Sequence, residues 1–454
     1  MDRLSVIDAS FIYSEDGQSH NDVGMVLVFE GPHMSREELM QAIAERIALV
    51  PRFRQKVRHM PFNAGLPVWI DDVQFDMGRH VRYHPAPTHP DPIGAAVSRI
   101  MSTPMDLTIP LWQMHIVNGL ADGRWLLIVR MHHAMVDGVS STEIVRLMLS
   151  TQPDGDPPII DTWRPRPEMS DDMLLARLAT DAAKEMANVW VKVLTGRFEF
   201  PKPPQTFDPS PFMRPGTPLN PAAINGPVRT GRQYGMLEVP LEALERLRRD
   251  LSCTVNDLVL AACGYGYSSV IAEYLDEKVQ DRTMRVMVPV SLRPPDPEGV
   301  DRGNEIGAMI VEVPLGAMPA RDRLARIREQ TEAFKEMKRH VPVASMIKGS
   351  SLASPMMLMM GSRMTSTAPA LVNTTITNVP GPQNPLYLHG RRMHRLGACI
   401  ALWTPLKIAI AVMSYNGMAT FNAVTDEATF PTVQPLLDAI QAGVDDLIEA
   451  AEEA

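Results

Sequence analysis

The stretch Arg124-Trp-Leu-Leu-Ile-Val-Arg-Met-His-His-Ala-Met-Val-Asp-Gly138 decides how this chain reads. It opens as an apolar run with strand character, closed by two adjacent histidines, His132 and His133. Asp137 and Gly138 follow after three apolar residues, and then an amphipathic helical pattern, Ser141 to Leu149, begins. Strand, tight turn and helix hold a side chain rigidly at a turn mouth, where a general base is useful. Histidine suits the task because its unperturbed pKa lies near neutrality. A neutral imidazole at 133 can take the proton of an alcohol as the oxygen attacks a carbonyl carbon. It can then return that proton to a leaving thiolate, with no covalent enzyme intermediate. Asp137 is poorly spaced for a triad acid. Its reading is structural: it pairs with an arginine, Arg293 in Val288-Pro-Val-Ser-Leu-Arg293, and fixes the loop.

The pattern has rivals. A metal site could use His132, His133 and Asp137, but adjacent residues leaving a strand point to opposite sides, so both histidines rarely bind one ion and no metal is expected. A serine hydrolase wants G-x-S-x-G, which Gly138-Val-Ser-Ser-Thr does not supply. On pattern alone, a purely structural histidine pair stays open.

Working outward, Leu111 to Val117 pairs with Trp125 to Met131 through the turn Ala121-Asp-Gly123. Val23 to Phe29 reads as a strand. Ser35-Arg-Glu-Glu38 resembles a capping box ahead of Leu39, Ile43 and Ile47 at helical spacing. Arg52 to Arg58 is a further strand and Pro92 to Met101 a helix. Residues 151–225 are dense in proline and read as an interdomain crossing, interrupted by one helix from Asp171 to Leu194. The end of that helix mixes Trp190, Phe198 and Phe200 with Lys184, Lys192, Arg197 and Lys202, a composition that docks on its own domain or rests on a membrane surface.

The second half mixes helices (Leu241 to Asp250, Val255 to Leu275, Arg321 to Arg339, Val433 to Ala450) with strands (Met284 to Leu292, Ile306 to Val313, Leu371 to Asn378). Ile408 to Tyr415 and Ala419 to Val424 flank Asn416-Gly417, a hairpin signal. The expected division is an N-terminal domain over 1–200, a linker over 201–225 and a C-terminal domain over 226–454.

At 454 residues the chain exceeds one compact core, so two domains are the default. Apolar content of 45% and charged content of 21% fit a globular protein, and a net charge of −9 argues against nucleic acid as the partner. Cys253, Cys263 and Cys399 read as reduced thiols in a cytoplasmic protein. The first residues lack the apolar core of a secretory signal. Leu396 to Met413, the longest apolar run, contains Pro405 and Lys407 and reads as two buried strands rather than a span. The chain has 31 methionines, several of them between Met356 and Met364, which fit adaptable core packing or the wall of a tunnel for flexible acyl chains.

His132-His133-Ala-Met-Val-Asp137-Gly138 resembles the HHxxxDG signature of the CoA-dependent acyltransferase superfamily. Three further pieces narrow it: Pro110-Leu-Trp112 looks like a PLW motif, Asn256-Asp257 like an ND motif, and Asn378-Val-Pro-Gly-Pro382 is similar to a C-terminal NVPGP signature. With the opening Leu4-Ser-Val-Ile-Asp-Ala-Ser-Phe11, these pieces resemble the bacterial wax ester synthase/diacylglycerol acyltransferase family along essentially the whole chain. The resemblance implies an α/β fold of two chloramphenicol-acetyltransferase-like domains, each a mixed sheet flanked by helices, with a substrate tunnel between them. It implies transfer from acyl-CoA, a co-substrate rather than a cofactor, to diacylglycerol or a fatty alcohol. His133 would be the proton acceptor, His132 and Asp137 supports, and Gly138 part of the substrate-binding turn.

Asn256 is a candidate oxyanion donor or, alternatively, a helix N-cap. Thr375, Thr377 and Asn378, on the strand before Pro380, are further candidates, Thr377 and Asn378 for substrate binding. Arg293, Lys407 and Arg391-Arg-Met-His-Arg395 are candidates for the CoA phosphates. A lipid acceptor implies peripheral attachment to a membrane or lipid droplet. The alternatives are an acyltransferase for another hydroxyl lipid or a polyketide alcohol, and a non-catalytic lipid-binding protein.

Overall fold

The computed structural model describes residues 2–135, 148–153, 155, 157–195, 217–218, 224–274, 278–291, 306–340 and 372–453. Two mixed sheets carry the fold, and the architecture is the α/β one expected. The first has six strands in the order Tyr387–Leu388, Arg391–Cys399, Asp22–Phe29, Trp125–His132, Trp112–Asn118 and Val81–Pro85. Its pairs are antiparallel except the last, where Val81–Pro85 runs parallel to Trp112–Asn118. The strand that ends in His132 is therefore central, with all eight of its residues buried. Gly123 takes a positive φ of 77° in the turn before it, a backbone region that glycine enters without steric cost.

The second sheet runs Ile306–Pro314, Arg282–Ser291, Thr374–Val379, Ile408–Tyr415, Met418–Asp426, Arg232–Pro240, with Thr217–Pro218 beside Arg282. Thr374–Val379 is parallel to both its neighbours. Asn416 and Gly417 turn the hairpin with φ of 46° and 84°, as the Asn-Gly signal requires. One face of this sheet, with Ile376, Ile408, Ile410 and Val412, packs on the helices Leu241–Asp250, Val255–Tyr274, Ala320–His340 and Gln434–Glu452. The alternate residues Ala411, Met413 and Tyr415 join the core of the first sheet instead. The period of two along one strand thus serves two cores.

The chain crosses between halves more than once. The run Leu396 to Met413 is two strands, as read, but the strands belong to different sheets. Arg391–Cys399 leaves the second half and pairs with Asp22–Phe29 in the first sheet, whereas Ile408–Tyr415 is central in the second. A boundary drawn at 201–225 does not anticipate this return, because strand pairing over such a separation has no local signature. Helix Pro92–Met101 is wedged between the first sheet and the edge strand Arg232–Pro240 of the second. There Ser98 Oγ accepts the Tyr234 N–H at 2.9 Å and Ser102 Oγ accepts the Arg232 N–H at 2.8 Å.

Two readings are adjusted. Arg52 to Arg58 divides into a 3-10 turn, Pro51–Arg54, and a short strand, Gln55–Arg58, because proline opens the turn. The proline-rich segment is a strap where it is described. Residues 157–170 form neither helix nor strand and are tied down by Arg54–Asp161 at 2.6 Å and Arg166–Asp71 at 3.0 Å. Helix Asp171–Leu194 then docks by Leu174 and Leu178 on Met60, Val68 and Ile70, while Met173, Met186 and Val191 stay exposed. Among the described residues no helix is long and apolar enough to cross a membrane.

Candidate active site

The histidine strand stops at His132 because the Asn21 N–H, next in register opposite His133, donates to Glu15 Oε1 at 2.7 Å and the chain then turns back on itself. The His132 N–H still donates to Leu111 O at 3.0 Å, within the PLW motif. The His133 N–H donates to Asn21 O at 2.8 Å, and the Met135 N–H closes a turn on His132 O at 2.9 Å. The two imidazoles part company there. His132 is fully buried. Its Nδ1 accepts the Ala134 N–H at 3.0 Å, which leaves the proton on Nε2, facing Glu15 Oε1 at 2.9 Å. Both ring nitrogens are spoken for, so this ring organises the turn. His133 is only partly buried. Its ring stacks on Phe11, with centroids 4.0 Å apart and planes at 24°.

Beneath the turn the sheet carries buried charge. Asp22 lies opposite His132 in the ladder and forms an ion pair with Arg130. Arg130 also donates to Ile100 O at 3.2 Å, and His20 Nε2 meets Met101 O at 2.7 Å. Both groups meet carbonyls at the C-terminal end of helix Pro92–Met101, where the Arg130 cation is also favoured by the helix dipole. Burial holds His20 below its ordinary pKa, so the ring is kept neutral. Glu15, Asp22 and His132 each bring one oxygen or nitrogen to within 4.8 Å of the others. Arg130 already neutralises Asp22, and both nitrogens of His132 are engaged, so the cluster reads as an internal hydrogen-bond network rather than a cation cage.

Trp112 lies under the site. It is fully buried, donates from Nε1 to Phe53 O at 2.7 Å, and stacks between Phe53 and His80 at 4.7 and 4.4 Å. Asn256 is the second residue of helix Val255–Tyr274, and it is not the cap. Thr254 is: its Oγ1 accepts the Asp257 N–H at 3.2 Å while Asp257 Oδ2 accepts the Thr254 N–H at 2.9 Å. Asp257 also accepts from Thr331 Oγ1 at 2.8 Å, which ties this helix to Ala320–His340. The Asn256 amide is thus left out of the capping, half-buried.

Thr377 and Asn378 sit on the central strand Thr374–Val379, opposite Ala411 and Val412. Neighbours on a strand face opposite ways, so they do not address one point. Thr377 shares its face with Val379, which packs on the core of the first sheet, and with Thr375, whose buried Oγ1 has no hydrogen-bond partner among the described residues. Gly381 of the NVPGP stretch approaches the next strand so closely that a Cβ there would lie 2.1 Å from Ser414 O. Arg391 and Arg395 are paired with Glu38 and Glu238. Asp137, Gly138 and Arg293 lie outside the described residues, as does the methionine cluster at 356–364.

Sequence reading missed Glu15, Asn21 and Phe11. Phe11 stood inside a quoted motif, but its contact with His133 spans more than a hundred residues and leaves no local periodicity.

Residues 4–259 match the wax ester synthase/diacylglycerol acyltransferase catalytic domain, and residues 302–447 match the C-terminal domain of the same family. A Mycobacterium tuberculosis protein described as a probable diacylglycerol O-acyltransferase, tgs1, is 28% identical over 446 residues, covering 94% of this chain and 91% of its own. A second from that species, tgs2, is 27% identical over 466 residues, covering 99% of both. The wax ester synthase/diacylglycerol acyltransferase from Marinobacter aquaeolei VT8 superposes with a TM-score of 0.71 at 23% identity over 100% of both chains. A starter condensation domain of rhizomide synthetase RzmA superposes with a TM-score of 0.60 at 14% identity, covering 99% of this chain and 95% of that one. Two family domains therefore account for most of the chain, and it belongs to the wax ester synthase/diacylglycerol acyltransferase family.

Proposed function

We propose that this protein is an acyl-CoA:diacylglycerol O-acyltransferase that makes triacylglycerol and, from fatty alcohols, wax esters. The observation that carries the reading is the division of labour between adjacent histidines. His132 is locked at both nitrogens, while His133 stands half-buried at the end of a central strand, in a chain matched by both domains of the family.

In the proposed step a ring nitrogen of His133 takes the hydroxyl proton of the acceptor. The alcohol oxygen attacks the thioester carbonyl, and the tetrahedral intermediate collapses with cleavage of the carbon–sulfur bond. The CoA thiolate leaves with the proton from the imidazolium. The ester and free CoA balance the equation with no net proton released and no cofactor. The developing oxyanion needs donors. The buried Thr375 hydroxyl, without a partner among the described residues, supports its candidacy, since an unsatisfied buried hydroxyl costs roughly 1–3 kcal/mol. Thr377 on the same face and the uncapped amide of Asn256 are the other candidates. Acyl-CoA enters the seam between the two sheets from one side and the acceptor from the other. Diacylglycerol is dissolved in lipid, so the protein works at a membrane or droplet surface.

The test is direct. Purified protein with labelled acyl-CoA should convert diacylglycerol to triacylglycerol, and His133→Ala should lower the rate by a factor of about 10² to 10⁴. Near-normal turnover in that variant refutes the base assignment. Turnover only with some other hydroxyl lipid or polyketide alcohol would replace the acceptor. Tight lipid binding without CoA release from any acceptor would make the protein a binder.

A further inference from the structure

We propose that Phe11 is a positioning residue for the His133 imidazole and that Asn21 is the clamp that holds it there; the inference rests on His133 being the base. Phe11 lies in the last turn of helix Val6–Tyr13. That helix is seated by Leu4, Ala9 and Ile12 in an apolar cluster with Trp69, Leu111 and Ala134, the residue that follows His133. The ring stacks on His133 at 4.0 Å, close for aromatic pairs.

A stacked neighbour sets the plane of the imidazole and with it the direction in which the ring nitrogens point. It also fixes the second side-chain torsion of histidine, which is otherwise broad and roughly two-fold. Proton transfer demands that the nitrogen lie within hydrogen-bond reach of the hydroxyl, and a misplacement of about 1 Å can cost about 10²-fold in rate.

Asn21 joins this ring to the base through four bonds and is itself buried. Its Nδ2 donates to Phe11 O at 2.7 Å and to Ser14 Oγ at 2.9 Å, gripping the end of the helix. Its carbonyl receives the His133 N–H at 2.8 Å. Its own N–H donates to Glu15 Oε1 at 2.7 Å, the same oxygen that meets His132. One residue therefore registers the carrier of the aromatic ring against the backbone of the imidazole. The Phe11 contact is made through its backbone carbonyl, so the Asn21 bond survives a change of side chain at position 11 and the two residues can be varied separately.

The experiment measures kcat and KM for acyl-CoA and diacylglycerol in Phe11→Leu, Phe11→Tyr, Asn21→Ala, the double variant Phe11→Leu/Asn21→Ala, and His133→Ala. Phe11→Leu should lose about 10- to 100-fold in kcat with both KM values within about threefold of normal, and Phe11→Tyr should recover most of the loss. The double variant should be no slower than about twofold below Phe11→Leu, because the clamp acts through the ring. Wild-type kcat in Phe11→Leu, equal losses in the leucine and tyrosine variants, or multiplicative losses in the double variant would each overturn the proposal. Should Phe11→Leu fail to fold, Asn21→Ala carries the test alone: kcat falling at constant KM supports the clamp, and unchanged kcat overturns it. An active His133→Ala would remove the base and this inference together. An inactive His133→Ala beside a fully active Phe11→Leu would remove only the positioning.

Discussion

Glu15 and His132 meet at 2.9 Å between a carboxylate oxygen and the protonated Nε2 of a ring that is otherwise enclosed. Replacing Glu15 by alanine strands a buried donor, which costs roughly 1–3 kcal/mol. Glu15→Gln keeps an acceptor oxygen and should cost less than half as much. Urea denaturation of the three proteins checks this ordering, and an alanine variant as stable as the wild type would count against the bond as a support. Activity should follow the same order, because the turn that carries His133 is built on His132.

The strap held by Asp71 has a pH-dependent stability. Asp71 accepts from Arg166 through Nε, Nη2 and the backbone N–H, each at 3.0 Å, and from Gln55 at 3.0 Å. The Arg166 hydrogen bonds hold the Asp71 carboxyl well below the usual carboxylate range. A carboxylate with a depressed folded pKa stabilises the native state fully above its unfolded pKa of about 3.9, and the contribution is lost as pH falls below that. The gap in stability between wild type and Asp71→Asn should therefore be widest at pH 6 to 7 and narrow steadily below about pH 4. Denaturant titrations at four pH values measure it; a gap that widens on acidification would contradict the assignment.

The thiols should be slow. Burial pushes Cys399 up to about 12 and Cys253 up to about 11, and it raises Cys263 as well. The thiolate is the nucleophile, so at pH 8 a group with pKa near 11 is ionised at roughly one part in a thousand. Native protein should release little chromophore from a disulfide reagent over minutes, with half-exposed Cys253 reacting before the other two. Unfolding in guanidinium should release three equivalents, the number of cysteines in the chain. A fast native thiol would show that one of these environments opens in solution.

What was legible in the sequence was what is local. The capping box at Ser35, the hairpin at Asn416-Gly417 and the helix Pro92–Met101 are set by neighbours within four residues, and each is present where the pattern put it. The motif histidines were legible as a candidate pair because a short signature places them at one strand end. Non-local pairing was not legible. Nothing in Arg391–Cys399 announces that it completes a sheet begun at Asp22, and nothing in Phe11 or Asn21 announces His133. The Asn256 alternative was undecided for a related reason: Thr254, Asn256 and Asp257 can all cap, and only the reciprocal Thr254–Asp257 bonds choose between them.

Gly381 offers a last test, because its reason for being glycine is visible. The chain leaves strand Thr374–Val379 through Pro380-Gly-Pro382 and passes the neighbouring strand so closely that Gly381 N–H reaches Ser414 Oγ at 3.2 Å. A methyl group at Gly381 would stand 2.1 Å from Ser414 O, a backbone atom in a paired strand that has no freedom to retreat. Gly381→Ala must therefore displace the turn, and overpacking of this kind costs typically about 1–3 kcal/mol. The displaced turn directly follows the strand that carries Thr375 and Thr377, so turnover should fall further than the loss of folded protein explains. Parallel melting curves and kcat measurements separate the two effects. A variant as stable and as active as the wild type would mean that the turn has room the geometry does not give it.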